Sequence, residues 1–452
     1  MLNDFLASLK GKKVSVIGAG VSNTPLIRML LGRCELFVHD KKVESQFDPA
    51  FLSELKDHNV QLVLGERYLD SLEGDVIFRT PGVRPDVPAL ESARARGAQI
   101  TSEMDVFFSL CPCPITAITG SDGKTTTSTI IAELLRAQGY EVFLGGNIGA
   151  PLLPRLDEMN QNSRVVVELS SFQLMDMTHA PQVAVITNVT PNHLDWHRGM
   201  GEYESAKYNL LARQAKDDIC VLNYDDPTTR AFGEKCRGKV SYFSLSDKNA
   251  DYSYDGENIC RGNQAVLSAS RLRIPGRHNI ANYMAAIAAT AHEVSAESVA
   301  KVADNFTGVE HRIEFIRELD GVKYYNDSIA SSPTRAIAGL MCFDCPVVLI
   351  AGGYDKKIAF DEFGELVCRR VDKLMLCGVT ADKIEAAVMQ AKEPKKPEIH
   401  RFSDLKTTVE ACRRLAHPGS VVLFSPACAS FDQFPNFMER GRFFKNIVNE
   451  LK

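Results

Sequence analysis

The residues best suited to chemistry are Gly120, Ser121, Asp122, Gly123, Lys124, Thr125 and Thr126. Two glycines let backbone N–H groups turn toward an anion, and a following helix adds its positive N-terminal end. In such a loop Lys124 reaches the outer phosphates of a nucleotide, and the Thr125 hydroxyl takes a place on Mg²⁺. The common pattern G-x-x-x-x-G-K-[ST] wants glycine where this chain has Ile118; the form here is the shorter G-x-x-G-K-T-T. Glu168 closes the apolar run Arg164–Val167. A carboxylate at a strand end beside a phosphate-loop strand is the usual place for a magnesium ligand. His193 and His197 are four apart, a zinc spacing if the segment were helical. No glutamate follows the first of them as in H-E-x-x-H, so His193 is read instead as a metal candidate sharing the cleft of Glu168. By spacing alone Lys207, in the amphipathic stretch Tyr203–Leu211, reads as a solvated surface lysine.

Positioning these groups requires strands that end where the groups lie. Ile115–Thr119 alternates like a strand, Ser128–Arg136 has helical spacing, and Gly139 sits where a helix ends. Gly145-Gly146-Asn147-Ile148-Gly149 is read as a flexible loop with Asn147 near phosphate. Asn279 and Asn282, one turn apart before an Ala-rich run, can both face a nucleotide, or Asn279 can be a helix N-cap. Upstream, Lys13–Ile17, the turn Gly18-Ala19-Gly20 and the strand Glu35–Val38 ending at His39-Asp40 suggest a nucleotide fold. As a dinucleotide fingerprint it is incomplete, because Asn23 stands at the third glycine position; Asp40 is suited to a ribose or a base edge. A polar, antiparallel β region is expected up to about Leu272, and strands and helices alternate again from Val309. The expectation is an α/β protein of three domains. Residues 1–102 are Rossmann-like, 103–308 are a P-loop-type ATPase domain with a mainly parallel sheet, and 309–452 are Rossmann-like again.

Composition narrows the classes. The chain has 452 residues, 45% of them hydrophobic, and a net charge of -5, which gives no basic footprint for nucleic acid or a membrane surface. No apolar run is long enough to span a bilayer, and the N-terminus lacks the pattern of a signal peptide. Twelve cysteines are scattered, with a single C-x-x-C at Cys342 and Cys345, so free thiols in a reducing cytoplasm are expected rather than a zinc site.

Taken together, Thr119–Thr126, Glu168–Leu174, Gly276–Asn282 and His311-Arg312 resemble the Mur ligases, in that family's order and over essentially the whole chain. Asn188–Asp195 and Ser425–Phe434 look most like the members that join D-glutamate to UDP-N-acetylmuramoyl-L-alanine. The resemblance implies a cytoplasmic, monomeric, ATP-dependent amide ligase of peptidoglycan synthesis, with no nucleic-acid or membrane partner. It implies that the sugar-peptide carboxylate attacks ATP to give an acyl phosphate, which the amine of the amino acid then attacks. It assigns ATP contacts to Gly120–Thr126, Asn147, Asn279, Asn282, Arg312 and Asp327. Two Mg²⁺ ions fall to Thr125, Glu168, His193 and Lys207, the last as a carbamate, an anion in place of a repelling cation. Lys124, His193 and Lys207 are the implied catalytic groups. The UDP sugar is assigned to Gly18, Gly20, Ser22, Asp40, Thr80, Pro81 and Gly82, and the amino acid to Ser430, Phe431 and Phe437. One departure matters: the family's Asn-Asp-Ser-Lys reads Asn326-Asp327-Ser328-Ile329 here, so the lysine that grips the amino-acid carboxylate is absent. Burying a carboxylate without a partner is costly, and Arg335 or Lys356 is expected to supply the charge. The alternative is a Mur-type or folylpolyglutamate-type ligase with another acceptor. The Asp-Asn-Pro-Arg tetrapeptide of the diamino-acid ligases is missing, as is an obvious hydride-transfer site for a dehydrogenase. A nucleotide sensor would need neither Glu168 nor His193.

Overall fold

The computed structural model describes residues 1–452. Two compact units are present, Met1–Leu267 with Ala281–Val302, and Ser268–Ile280 with Ala303–Lys452.

The first unit holds two sheets. Strands β1 (Lys13–Ile17), β2 (Glu35–Asp40), β3 (Gln61–Leu64), β4 (Val76–Phe78) and β5 (Gln99–Thr101) are all parallel, in the order β3-β2-β1-β4-β5. The direction of winding reverses between β1 and β4, so the turns that leave these two strands flank the crevice where open α/β sheets take ligands. The second sheet comprises β6 (Ile115–Thr119), β7 (Val142–Gly146), β8 (Arg164–Glu168), β9 (Val183–Ile186), β10 (Ile219–Asn223), β11 (Lys239–Ser244), β12 (Tyr252–Tyr254), β13 (Asn258–Arg261) and β14 (Gln264–Ser268). Its order is β14-β13-β12-β11-β10-β9-β6-β8-β7. Every residue of β6 and β9 is buried, as expected of central parallel strands covered on both faces.

Two expectations are corrected here. The region before Leu272 is not antiparallel throughout: β10–β11 and β11–β12 pair in parallel, and the reversal comes at β12–β13. The polar faces of β11 and β12 follow from their distance from the centre of the sheet, not from strand direction. Gly145 and Gly146 are also not a flexible loop but the end of β7, paired with Val167 and Glu168. Glycine is needed there because a Cβ on Gly146 would lie 2.3 Å from the Glu168 carbonyl oxygen.

The second unit carries β15 (Glu314–Leu319), β16 (Val322–Asn326), β17 (Val347–Ala351), β18 (Val371–Cys377), β19 (Glu398–Phe402) and β20 (Val421–Phe424). They are ordered β15-β16-β20-β17-β18-β19, with only the β15–β16 pair antiparallel. Three parallel-rich sheets are thus present, as the alternation of strands and helices predicts. No helix is long and apolar enough to cross a membrane.

Candidate active site

The phosphate loop leaves β6 and enters the helix Lys124–Ala137. Its two glycines are required by conformation and by space. Gly120 has φ 150°, and a Cβ there would come within 1.9 Å of the Thr187 hydroxyl; Gly123 caps the helix at φ 80°, and a Cβ would meet Asn282 Oδ1 at 2.4 Å. The loop is pinned from the neighbouring strand β9. Thr187 Oγ1 donates to the Asp122 carbonyl at 2.5 Å, Asn188 Oδ1 accepts from Asp122 N–H at 2.9 Å, and Ser121 Oγ donates to the Thr190 carbonyl at 2.9 Å. Thr127 Oγ1 donates to Asn282 Oδ1 at 3.2 Å, which ties Asn282 to the helix that follows the loop. Lys124 Nζ folds back onto the Gly120 and Ser121 carbonyls at 3.0 and 2.8 Å.

Lys207 overturns the reading from its spacing. It lies on the helix Met200–Tyr208 but is only 1% exposed, because its side chain turns under the phosphate loop rather than outward. Its Nζ donates to the Gly120 carbonyl at 2.8 Å and sits 4.5 Å from the Tyr203 ring centroid. Burial pushes the amine down from the ordinary lysine range to about 7, and the nearby Lys124 charge pushes it the same way, against a smaller opposing pull from Asp122. A lysine of this kind is a neutral nucleophile near physiological pH.

Glu168, at the end of β8, is 1% exposed. Its Oε1 accepts from Asn147 Nδ2 at 2.9 Å, and Asn147 N–H donates to the Glu168 carbonyl at 2.8 Å, so Asn147 orients the carboxylate. Oε2 is buried with no hydrogen-bond partner. A buried carboxylate oxygen is normally satisfied, so this orphan suits a cation, and the residues present fit a magnesium ion. The segment from His193 to His197 is a turn and not a helix, so the helical zinc spacing does not arise there. A magnesium site completed by phosphate oxygens needs fewer protein carboxylates.

His193 is exposed and stands in the left-handed region at φ 54°. Its ring packs 4.9 Å from Phe172, which follows Glu168 in the chain and also contacts Trp196 and His197. His197 is buried, bonded through Nε2 to Ser171 Oγ at 2.9 Å, and plays a packing part distinct from that of His193.

Gly18 (φ 83°) and Thr80 close the crevice of the first sheet, where a Cβ on the glycine would meet the Thr80 side chain at 3.1 Å. Asp40 uses both oxygens on backbone N–H groups, of Ala19 and Lys42, each at 2.8 Å, and so shapes the glycine turn that carries Gly20 and Ser22.

In the second unit, Asn279 is the third residue of the helix Arg277–Thr290 and not its cap; Nδ2 donates to the Pro275 carbonyl at 2.6 Å. Asp327 follows β16 and is buried, with Ser425 Oγ donating to it at 2.7 Å. Gly339 leaves it room, since a Cβ there would lie 2.6 Å from Asp327 Oδ2. Burial pushes the Asp327 carboxyl up to about 7, although Ser425, Ile313 N–H, Arg312 and Arg335 pull it down. Between its unfolded value near 3.8 and about 7 the folded chain holds the extra proton, so this group costs stability as pH rises through that window. Asp327→Asn is therefore expected to unfold at a higher temperature than the parent at pH 8 and to match it near pH 4, checked by thermal melts across pH.

Arg312 is half-buried beside His311 (φ 66°). Lys356 lines a small, open hollow together with Ser331, Tyr354, Ile358, Ala427 and Cys428. Arg335 is exposed on the helix Pro333–Leu340, whose N-terminus follows Ser331-Ser332. Ser430 is buried, Phe431 is 64% exposed against Tyr354, and Phe437 opens the helix Phe437–Glu450, its carbonyl accepting from Ser328 Oγ at 2.8 Å.

Sequence reasoning missed Arg440. Its buried guanidinium ties the Ser328 carbonyl at 2.8 Å to the Cys428 and Ala429 carbonyls at 3.0 and 2.9 Å, joining the two loops around the hollow. The available signal was Gly441 inside a helix, which marks close approach; a Cβ there would meet His311 Nδ1 at 2.2 Å. It also missed Arg79, Thr187 and Asn147's grip on Glu168.

Comparison with known proteins agrees with this geometry. Residues 118–290 match the Mur ligase middle domain and residues 311–428 the Mur ligase glutamate ligase domain. The chain is 48% identical to the UDP-N-acetylmuramoylalanine–D-glutamate ligase of Acetivibrio thermocellus, over 100% of this chain and 99% of that one. Among solved structures, UDP-N-acetylmuramoyl-L-alanyl-D-glutamate–2,6-diaminopimelate ligase shares the fold with TM-score 0.60, at 17% identity over 85% of this chain and 94% of that one. MurF ligase from Thermotoga maritima, solved in complex with ADP, does so with TM-score 0.56, at 18% identity over 98% and 97%. With a relative of nearly half identity along its whole length, a glycine loop whose strand pairs with the one that ends in Glu168, and a buried lysine under that loop, the chain belongs to the Mur ligase family.

Proposed function

We propose that the protein is an ATP-dependent ligase that joins D-glutamate to UDP-N-acetylmuramoyl-L-alanine in peptidoglycan precursor synthesis. The observation that carries this reading is the 48% identity, over the whole of both chains, to a ligase of that name. The reading divides the chain into a UDP-sugar domain (1–102), a central ATP domain (103–308) and an amino-acid domain (309–452), and takes it as a cytoplasmic monomer.

In this reading the sugar-peptide carboxylate attacks the γ-phosphorus of ATP and ADP leaves. The amine of D-glutamate then attacks the acyl phosphate carbonyl, and phosphate leaves. The backbone N–H groups of Gly120–Thr126 hold the triphosphate, and Lys124 exchanges the Gly120 and Ser121 carbonyls for phosphate oxygens. Asn282 lies against the loop from the first unit, and Asn279, Arg312 and Asp327 complete the ATP contacts. Lys207, deprotonated near neutral pH, adds its lone pair to the carbon of CO₂ and gives up a proton to solvent, becoming a carbamate. Thr125, Glu168, His193 and the carbamate would hold two Mg²⁺ ions, which when bound would supply the neutralisation that lets a carboxylate approach a triphosphate. Asn147 keeps Glu168 aimed, and Gly18, Gly20, Ser22, Asp40, Thr80, Pro81 and Gly82 take the UDP sugar.

The amino acid falls to Ser430, Phe431 and Phe437, with Lys356 and Arg335 replacing the lysine lost at Ile329. Lys356 lines the same hollow as Ser331 and Ala427, which supports that role. Replacing both cations with alanine is expected to raise KM for D-glutamate roughly 10- to 100-fold, the worth of a charge-assisted hydrogen bond, with little change in KM for ATP. Steady-state kinetics on the double variant would refute the assignment if KM for D-glutamate stayed where it was. The function itself is tested by phosphate release from ATP with UDP-N-acetylmuramoyl-L-alanine and a panel of amino acids. Release with D-glutamate alone is expected, and no release with any acceptor rules the ligase out.

A further inference from the structure

Residues 79–86, which follow β4, reach from the first sheet to segments that follow β8 and β9 of the second. Arg79 is 1% exposed. It spends Nε and Nη2 on the Asp176 carboxylate, the Nε bond being 2.8 Å, and Nη2 also donates to the Phe172 carbonyl at 3.2 Å. Its Nη1 gathers the Thr80 and Val83 carbonyls at 3.1 and 2.6 Å. One guanidinium thus holds the Thr80-Pro81-Gly82 loop in shape and fastens it to the short helix Ser171–Leu174 after Glu168 and to Asp176 beyond it.

Arg84 makes the second attachment. It forms paired bonds with Asp86, both at 2.9 Å, and with Glu202 at 3.0 and 2.7 Å. It also donates to the Trp196 carbonyl at 2.8 Å and lies 5.0 Å over the Trp196 ring. Trp196 N–H in turn donates to the His193 carbonyl at 3.1 Å, and Glu202 belongs to the helix that carries Lys207. Glu202 is further bonded by Arg198 N–H at 2.8 Å. The loop assigned to the sugar nucleotide is therefore tied by Arg79 to the Glu168 segment, and by Arg84 to the His193 turn and the Lys207 helix.

We infer that Arg79 and Arg84 are positioning residues that fix the sugar-bound carboxylate against the phosphate and metal groups of the second sheet. The inference rests on the proposed function, in which the two reacting partners are held by different sheets and must meet within a fraction of an ångström. Misplacement by about 1 Å costs on the order of 100-fold in rate. Neither arginine touches a reacting atom, so the effect must appear as geometry and not as lost binding of ATP. The planar fork matters: lysine retains the charge, but its three donors cannot reproduce the five bonds that Arg84 makes to Asp86, Glu202 and the Trp196 carbonyl.

The test compares parent, Arg84→Lys, Arg84→Ala and Glu202→Gln, each as the full chain with Mg²⁺ and bicarbonate. Arg84→Ala is expected to lose roughly 100-fold in kcat with KM for ATP unchanged, and Arg84→Lys and Glu202→Gln to fall between it and the parent. A kcat equal to the parent's, or a rise in KM for ATP matching the fall in kcat, overturns the inference. The second readout needs no substrate. Backbone hydrogen exchange at residues 192–198 should speed up in the variants while that of β6 and β8 stays slow; unchanged exchange at 192–198 overturns the inference even if the parent has no ligase activity. If Arg84→Ala does not fold, the two conservative variants decide by the same measures. Failure of the proposed function is read separately, from the parent's own dependence on D-glutamate.

Discussion

Lys207→Ala is expected to abolish turnover, by roughly 10²- to 10³-fold or more, the scale set by removing one preorganised electrostatic group from a closed site. The argument starts from burial. The amine forms no ion pair: it meets the Gly120 carbonyl, the Thr119 hydroxyl and the Tyr203 ring, and the Lys124 charge outweighs the weaker pull of Asp122. A site that merely wanted a cation would not lower its lysine to about 7. A site that wants a carbamate must, because only the neutral amine reacts with CO₂. Stripping the parent of bicarbonate should therefore mimic the substitution, and labelled bicarbonate should give a carbamate signal in carbon NMR that Lys207→Ala lacks; full activity in carefully degassed buffer would refute the carbamate. A second signature is thermodynamic. Below about pH 7 the amine is charged both folded and unfolded, and burying that charge costs stability. Between about 7 and 10.5 the unfolded chain holds more protons, so stability rises with pH through that window. Lys207→Met should melt higher than the unmodified parent at neutral pH and lose that slope, while remaining inactive.

Glu168→Gln is expected to be nearly as damaging, with a loss of about 10³-fold in turnover, a few kcal/mol of transition-state charge stabilisation. The amide keeps the shape and keeps an oxygen for Asn147 Nδ2, but it removes the negative charge that the partnerless Oε2 carries. The variant should require far more Mg²⁺ for half-maximal phosphate release, with its structure intact by circular dichroism. A parent-like magnesium titration would separate Glu168 from the metal altogether.

Spacing alone identified the phosphate loop, because glycine, lysine and threonine there answer to local backbone geometry that one short stretch contains. Glu168 was legible for a similar reason, as an acid ending an apolar strand. Lys207 was not: nothing in Tyr203–Leu211 announces that this helix turns its lysine under a loop more than eighty positions earlier in the chain, and only the family resemblance singled it out. The parallel pairing of β11 was hidden because polar alternation reports exposure and not strand direction. Asn147 resembled a phosphate contact by its glycine neighbours, whereas its side chain is engaged by Glu168 across a strand pair that no local pattern encodes. Arg79 carries no local pattern that announces the carbonyls gathered around it, and Arg440 has only the neighbouring Gly441 to mark it.

Lys124 in its present position has a consequence for binding. With Nζ on the Gly120 and Ser121 carbonyls, those two oxygens occupy the ammonium group that phosphate oxygens would take. The loop is also pinned by Thr187, Asn188 and Ser121, so binding exchanges one set of hydrogen bonds for another on a loop that its own neighbours hold in shape. The ordering entropy is spent during folding, so affinity for nucleotide reflects a competition between backbone carbonyls and phosphate oxygens for a single ammonium group.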